Sequence, residues 1–229
     1  MRRGGGGRRI TRLALVCSAG VVLVLALMQM FLPAIVASRI SSRVGRYGSV
    51  ESVSVSALPA LELLWGSADS VRVRAKSLAV SPEQAAKLLW EARGAASMDV
   101  SADSVQVGPL RLSDASLHKR GDALTAEADA SEAAVMAALP PGFDVRLLRS
   151  EGGEVEVQAS GGLFGIGATL DALALASEGR LIAHPLGLLV EGLVLTLFSD
   201  PHVYVQGVGA SVHTQTPLSY RLSMRASLR

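Results

Sequence analysis

Along most of the chain after residue 50, apolar and polar residues alternate with period two. Val53 and Val55 stand between serines from Ser52 to Ser56, and Val71, Val73 and Ala75 alternate with Arg72, Arg74 and Lys76. Val105 and Val107 continue the theme, and Leu110 and Leu112 are followed by Ala115 and Leu117 in shifted phase. Val155 and Val157 alternate with Glu154, Glu156 and Gln158, while Tyr220, Leu222, Met224, Ala226 and Leu228 share one face. This pattern predicts strands with one dry and one wet side, as in an antiparallel sheet lying against something apolar.

Two helices interrupt the alternation. Ser81-Pro82-Glu83-Gln84 combines a hydroxyl cap, proline at the first helical position and glutamine at the third. The helix it starts places Ala85, Leu88, Leu89 and Ala92 on one face and Lys87 and Glu91 outside, and runs to Gly94. A shorter one follows Ser131 and is stopped by Pro140-Pro141. From Gly161 to Phe198 the chain is unusually apolar, and a helix ending near Gly192 followed by a strand is one reading of its second part.

The start of the chain is different. Five arginines lie in the first 12 residues, and residues 13–37 form 25 positions without a charge. As a helix that run would be about 37 Å long, enough to cross roughly 30 Å of hydrocarbon. It is longer than the usual apolar region of a signal peptide and lacks a small-x-small cleavage site at its end. The expected organisation is a basic cytoplasmic segment (1–12), a transmembrane anchor or signal sequence (13–37) and an exported domain (38–229). That places the protein in the plasma membrane as a single-pass chain with its N-terminus cytoplasmic, or makes it secreted or periplasmic if the leader is cleaved. Arg39, Arg43 and Arg46 follow the run, where they would meet lipid head groups or water.

Charge and composition then exclude several classes. Without the five leading arginines, 17 of the 22 basic residues face 20 acidic ones, so the +2 of the whole chain becomes −3. The basicity belongs to the N-terminal flank and signals no nucleic-acid groove. With 49% apolar and 18% charged residues the chain is not intrinsically disordered. Its one cysteine, Cys17, permits no disulfide framework. His118, His184, His202 and His213 form no local metal pattern, and neither a Gly-x-Ser-x-Gly elbow nor a phosphate-binding glycine loop occurs. No catalytic residue, metal or cofactor is therefore expected.

One order of motifs is more specific. A lead helix ends at Gly45, then come Val53-Ser54-Val55, the run Leu58-Pro59-Ala60-Leu61-Glu62-Leu63-Leu64-Trp65-Gly66, a valine strand from Val71, and Ser177-Glu178-Gly179-Arg180-Leu181 followed by Pro185. In these the chain resembles the LmeA-like phospholipid-binding family of exported bacterial envelope proteins, from about Ile35 to Arg229. The resemblance implies an α/β domain of α+β type, similar to tubular lipid-binding domains. In such a domain an elongated, curved, mainly antiparallel sheet wraps over two or three helices around an apolar cavity. It also implies a phospholipid or glycolipid partner, contact with a membrane, and a carrier or chaperone role in envelope lipid homeostasis, tethered here by the anchor.

From the residues alone, a packed interior and an open one both remain available. Small valines and alanines on the dry face, with only 4% aromatic residues, leave space if nothing larger fills it. The candidate groove residues are Leu58, Leu61, Leu64, Trp65, Leu88, Leu89, Leu163, Phe164, Leu189 and Phe198, with Trp65 at the mouth. Pro59 and Gly66 are candidate shape residues. Two alternatives stand beside the carrier: an envelope scaffold that binds another protein through a bare sheet edge, and a lipid-modifying enzyme marked by a converging Asp–His pair.

Overall fold

In a computed structural model of the 229-residue chain the described residues are 32–57, 68–139, 141–163, 166–187 and 192–229. Residues 32–44 are helical (α1). The strands are β1 (Gly48–Ser56), β2 (Ala68–Val80), β3 (Ala95–Val107), β4 (Leu110–Arg120), β5 (Ala123–Ser131), β6 (Phe143–Glu151), β7 (Glu154–Leu163), β8 (Ile166–Ser177), β9 (Arg180–Leu186), β10 (Leu195–Phe198), β11 (Val203–Gln215) and β12 (Leu218–Leu228). Helix α2 (Pro82–Glu91) joins β2 to β3, and α3 (Glu132–Ala138) joins β5 to β6.

Local sequence explains both connecting helices. The Ser81 hydroxyl accepts the Gln84 N–H at 3.2 Å, while the Gln84 side chain accepts the Ser81 N–H at 2.8 Å, so two otherwise orphaned donors are satisfied at once. Ser131 caps α3 by accepting the Ala134 N–H at 3.1 Å. The buried residue of α2 is Ala86, with Leu89 packed against its cluster, while Ala92 just after the helix packs with Val55, Val71, Val73, Ala95 and Met98. Ala85, Leu88, Leu89 and Ala92 are all half-buried and Lys87 and Glu91 exposed, as the sequence predicts, with Ala86 beside that face the one fully buried position.

The strands form two sheets. The larger has the order β1-β2-β3-β4-β5-β12-β11, and the smaller β10-β9-β8-β7-β6. Every pairing is antiparallel except β2–β3, where α2 supplies the crossover that a parallel pair requires. The register carries apolar residues straight across the large sheet. One row runs Val55, Val71, Met98, Lys119, Leu124, Ala226, Val205, and the next runs Val53, Val73, Val100, Leu117, Ala126, Met224, Val208. In β4 the phase change seen in the sequence is a bulge at Asp114, whose φ of 48° a short polar side chain tolerates.

All seven residues of the first row are buried, the lysine included. The Lys119 ammonium donates to the Arg93 carbonyl at 3.1 Å and to the Ala95 carbonyl, pinning the turn after α2 onto the sheet. Val36, Ala37 and Ile40 of α1 pack on Val55, Val71, Val73, Ala95 and Met98. Ala86 packs with Leu124, Val203, Ala226 and Leu228, and Leu89 touches both groups.

The outer edge of β11 meets the ends of the smaller sheet. The Val205 N–H donates to the Gly179 carbonyl at 2.9 Å, Val208 N–H to the Gly153 carbonyl at 3.0 Å, and Ala210 N–H to the Ser150 hydroxyl at 2.9 Å. Hairpin turns thus occupy donors that a bare edge would offer to another chain.

Two expectations are corrected. In place of one elongated, curved sheet wrapped over the helices there are two sheets, one mixed and one antiparallel, and neither is closed or curled. Alternation marks each strand but not the sheet it joins, and β12 pairs with β5, far from it in sequence. Against the expected single-pass plasma-membrane topology stands the finding that, among the described residues, no helix is long and apolar enough to cross a membrane. Residues 13–31 of the expected span lie outside the described residues. The last part of the uncharged run belongs to α1, where Val36 and Ala37 are spent on the sheet core.

Two substitutions test this frame. Gly179 has φ +79°, and an added Cβ would lie 2.2 Å from the Tyr204 ring. Gly179→Ala is expected to lower unfolding stability by about 1–2 kcal/mol in urea titration. Lys119→Met keeps the volume but removes a donor from two carbonyls. It is expected to cost about 1–3 kcal/mol, whereas a neutral or stabilising result would show the pin is dispensable.

Candidate functional site

Burial on the apolar face of the large sheet falls from row to row. Beyond the two rows above, the third runs through Val50, Ala75, Ala102 and Ala115, and on the far side of the Asp114 bulge through Ala128, Leu222 and Ala210. Of these Ala75 and Ala102 are buried and the others half-buried. The fourth includes Leu78, Val105 and Leu112, then Ala130, Tyr220 and Val212. There Val212 is 48% exposed and all the rest but Ala130 are half-exposed. Neither packed cluster of the helices includes Leu78, Val105, Leu112, Tyr220 or Val212. The result is an apolar surface with a shallow band of alanine side chains, bordered by larger residues and left partly open. Burial beside Glu132 and Asp144 pushes the Tyr220 hydroxyl pKa upward, so it stays a neutral donor.

The smaller sheet presents its own apolar surface at β10. Leu195 and Leu197 are 50% and 53% exposed, and Leu193 and Val194 just before them are similarly open.

The candidate groove residues divide four ways. Leu58, Leu61, Leu64, Trp65, Phe164 and Leu189, together with Pro59 and Gly66, lie outside the described residues. Leu163 pairs with Ile166 in the β7–β8 ladder. Leu89 and Phe198 are packing residues around Ala86, Leu124, Val203 and Leu228. Leu88 lines a crevice of about 230 Å³ with Arg43, Arg46, Tyr47, Lys87 and Glu91. A second crevice, of about 330 Å³, lies where β5, β11 and β12 meet the β6–β7 turn, with Ala126, Val208, Met224, Gly153 and Arg225 among its walls. Both are near or below the lower end of the roughly 300–1,000 Å³ typical of small-molecule sites. Sequence reasoning missed the fourth-row residues as a surface. Their alternation was visible, but which rows a helix covers depends on tertiary packing.

Two Asp–His pairs occur on the wet side of the same sheet. His118 Nδ1 lies 2.8 Å from Asp99, whose carboxylate also accepts from Arg120 at 2.9 Å. Hydrogen bonds from His118 and then Arg120 hold the Asp99 pKa below the usual carboxylate range. Asp129 is buried and gripped by two Arg221 bonds of 2.8 Å each, with His213 at 3.6 Å. Each carboxylate is neutralised by a guanidinium that ties neighbouring strands, which is a cross-strand clamp rather than a base poised over a substrate. His202 stacks on Trp90 with ring centroids 4.1 Å apart, and the Arg93 guanidinium lies over the Trp90 ring at 4.3 Å. Among the described residues no group of three or more His, Cys, Asp or Glu could hold a metal ion.

The large sheet therefore has one apolar face that is left partly open and an opposite face on which charged side chains clamp neighbouring strands. The chain belongs to the LmeA-like phospholipid-binding family, whose model matches residues 30–224. The family is described by phospholipid binding, which gives phospholipid as the general ligand class. No curated protein and no solved structure matches the chain.

The Arg221 bonds, the larger cause, hold the Asp129 pKa below its ordinary value. Because the folded value is the lower one, the stabilisation is complete above the unfolded aspartate pKa of about 3.9 and is lost as pH falls through the folded value. Asp129→Asn is expected to be less stable than wild type at pH 7, with the gap narrowing below pH ~4. Urea midpoints measured across pH 2–7 check this, and a gap independent of pH would contradict it.

Proposed function

We infer that the protein carries phospholipid with its acyl chains laid along the partly open apolar face of the large sheet. The observation that supports this is the fall in burial from the Val55–Val205 row to the row of Val105, Leu112, Tyr220 and Val212. Each methylene withdrawn from water is worth about 0.8 kcal/mol, so a chain covering those side chains is held mainly by apolar contact. A lipid leaving a bilayer surrenders a similar term, which makes transfer nearly balanced and suits a carrier or chaperone of envelope lipid. The exposed leucines of β10 supply a second apolar surface by which a carrier would meet a bilayer during exchange.

The scaffold alternative is weaker at β11, because turns of the smaller sheet occupy its outer edge.

Lipid uptake decides the reading. Purified protein is expected to carry phospholipid detectable by native mass spectrometry, and to take up a fluorescent phospholipid from vesicles. Val212→Glu, at an exposed site, is expected to reduce uptake by about tenfold while leaving the thermal midpoint within a few degrees, since a carboxylate in the chain's path must be desolvated. Absence of both bound lipid and uptake in wild type would refute the reading.

A further inference from the structure

The crevice between the end of α1 and α2 has a chemistry unlike the rest of the surface. Arg43, Arg46 and Lys87 face one carboxylate, Glu91, and Tyr47 and Leu88 complete the walls. Glu91 is already engaged by Arg43 at 2.7 Å, in a surface pair whose side chains are 37% and 58% exposed. Such a pair is weakly held and exchanges readily. No hydrogen bond or ion pair among the described residues engages Arg46 or Lys87. The Tyr47 carbonyl accepts the Ala79 N–H at 2.6 Å, which sets this wall next to Leu78 on the partly open face. At about 230 Å³ the space suits a head group, not a whole lipid.

We propose that this crevice seats the phosphate of an anionic phospholipid head group, with Arg46 and Lys87 as its first contacts and Glu91 as an internal competitor that occupies Arg43 until the phosphate arrives. The assignment rests on the phospholipid-carrier reading and adds to it a head-group preference. The guanidinium of Arg46 offers a planar fork to two phosphate oxygens, and the Lys87 ammonium adds a compact charge. Once phosphate binds, Arg43 exchanges one anionic partner for another. A zwitterionic head group would bring its own cation against these three, so net-negative head groups are favoured.

The test is vesicle uptake by the full chain, comparing phosphatidylglycerol with phosphatidylcholine, with thermal midpoints to confirm folding. Wild type is expected to prefer phosphatidylglycerol. Arg46→Glu combined with Lys87→Glu is expected to weaken phosphatidylglycerol uptake by about tenfold or more while leaving phosphatidylcholine uptake near wild type. Glu91→Gln is expected to act in the opposite direction, strengthening phosphatidylglycerol uptake severalfold, a gain that a merely structural ion pair would not give. Glycerol 3-phosphate serves as the free-phosphate arm and is expected to compete only weakly. Tight binding of glycerol 3-phosphate with no lipid preference would overturn the head-group assignment in favour of a soluble phosphate ligand. Uptake of both lipids unchanged in all variants would overturn the assignment while leaving the carrier reading intact. Uptake of neither lipid by wild type would overturn both.

Discussion

Strand register is the constraint on which the rest depends. Seven strands hold their apolar residues in transverse rows, and α1 and α2 concentrate their packing on the first two. A slip of one residue in any strand would turn its apolar set to the wet side. The register is therefore fixed by the same burial that leaves later rows half-exposed. Lys119 belongs to this constraint. It occupies the centre of the most buried row and spends its charge on carbonyls of the turn after α2, so the helix cannot move far along the sheet. Burial pushes the Lys119 pKa below that of an ordinary lysine, as expected for a cation held away from water by its packing.

The smaller sheet adds a different kind of support. Its turns at Gly153 and Gly179 satisfy N–H groups of β11, where the ladder with β12 is interrupted by a bulge between Val205 and Gly207. The bulge bends β11 at the place where the second sheet docks, and positive φ at both glycines lets the turns approach closely. The outer edge of β11 is thereby removed from contact with other chains. Apolar surface is left on the fourth row and at β10, and it is along the former that the acyl chains are proposed to lie.

Much of the local structure was legible in the sequence. Val71, Val73 and Ala75 mark the dry side of β2, Ser81 with Gln84 marks the start of α2, and the shift between Leu112 and Ala115 marks a bulge. Sheet membership was not legible, because alternation says nothing about partners: β5 pairs with β12, and the parallel β2–β3 contact depends on a crossover. The uncharged run to residue 37 reads as membrane-spanning by length alone, yet Val36 and Ala37 pack on Val55 and Met98. For the site, Leu89 and Phe198 have the apolar character of groove residues but are consumed by packing, since a leucine looks the same in sequence whether it faces a ligand or a neighbour. The crevice at Arg43, Arg46 and Lys87 joins positions more than 40 residues apart, and only the contact between α1 and α2 brings them together.

The most direct test of the account uses a phospholipid bearing a photoreactive group midway along an acyl chain. After loading and illumination, peptide mass spectrometry should find adducts on β3, β4, β11 and β12 near Val105, Leu112, Val212 and Tyr220. Adducts confined to the opposite face, around Arg72, Arg74 and His118, would contradict the claim that the partly open apolar face receives the chains.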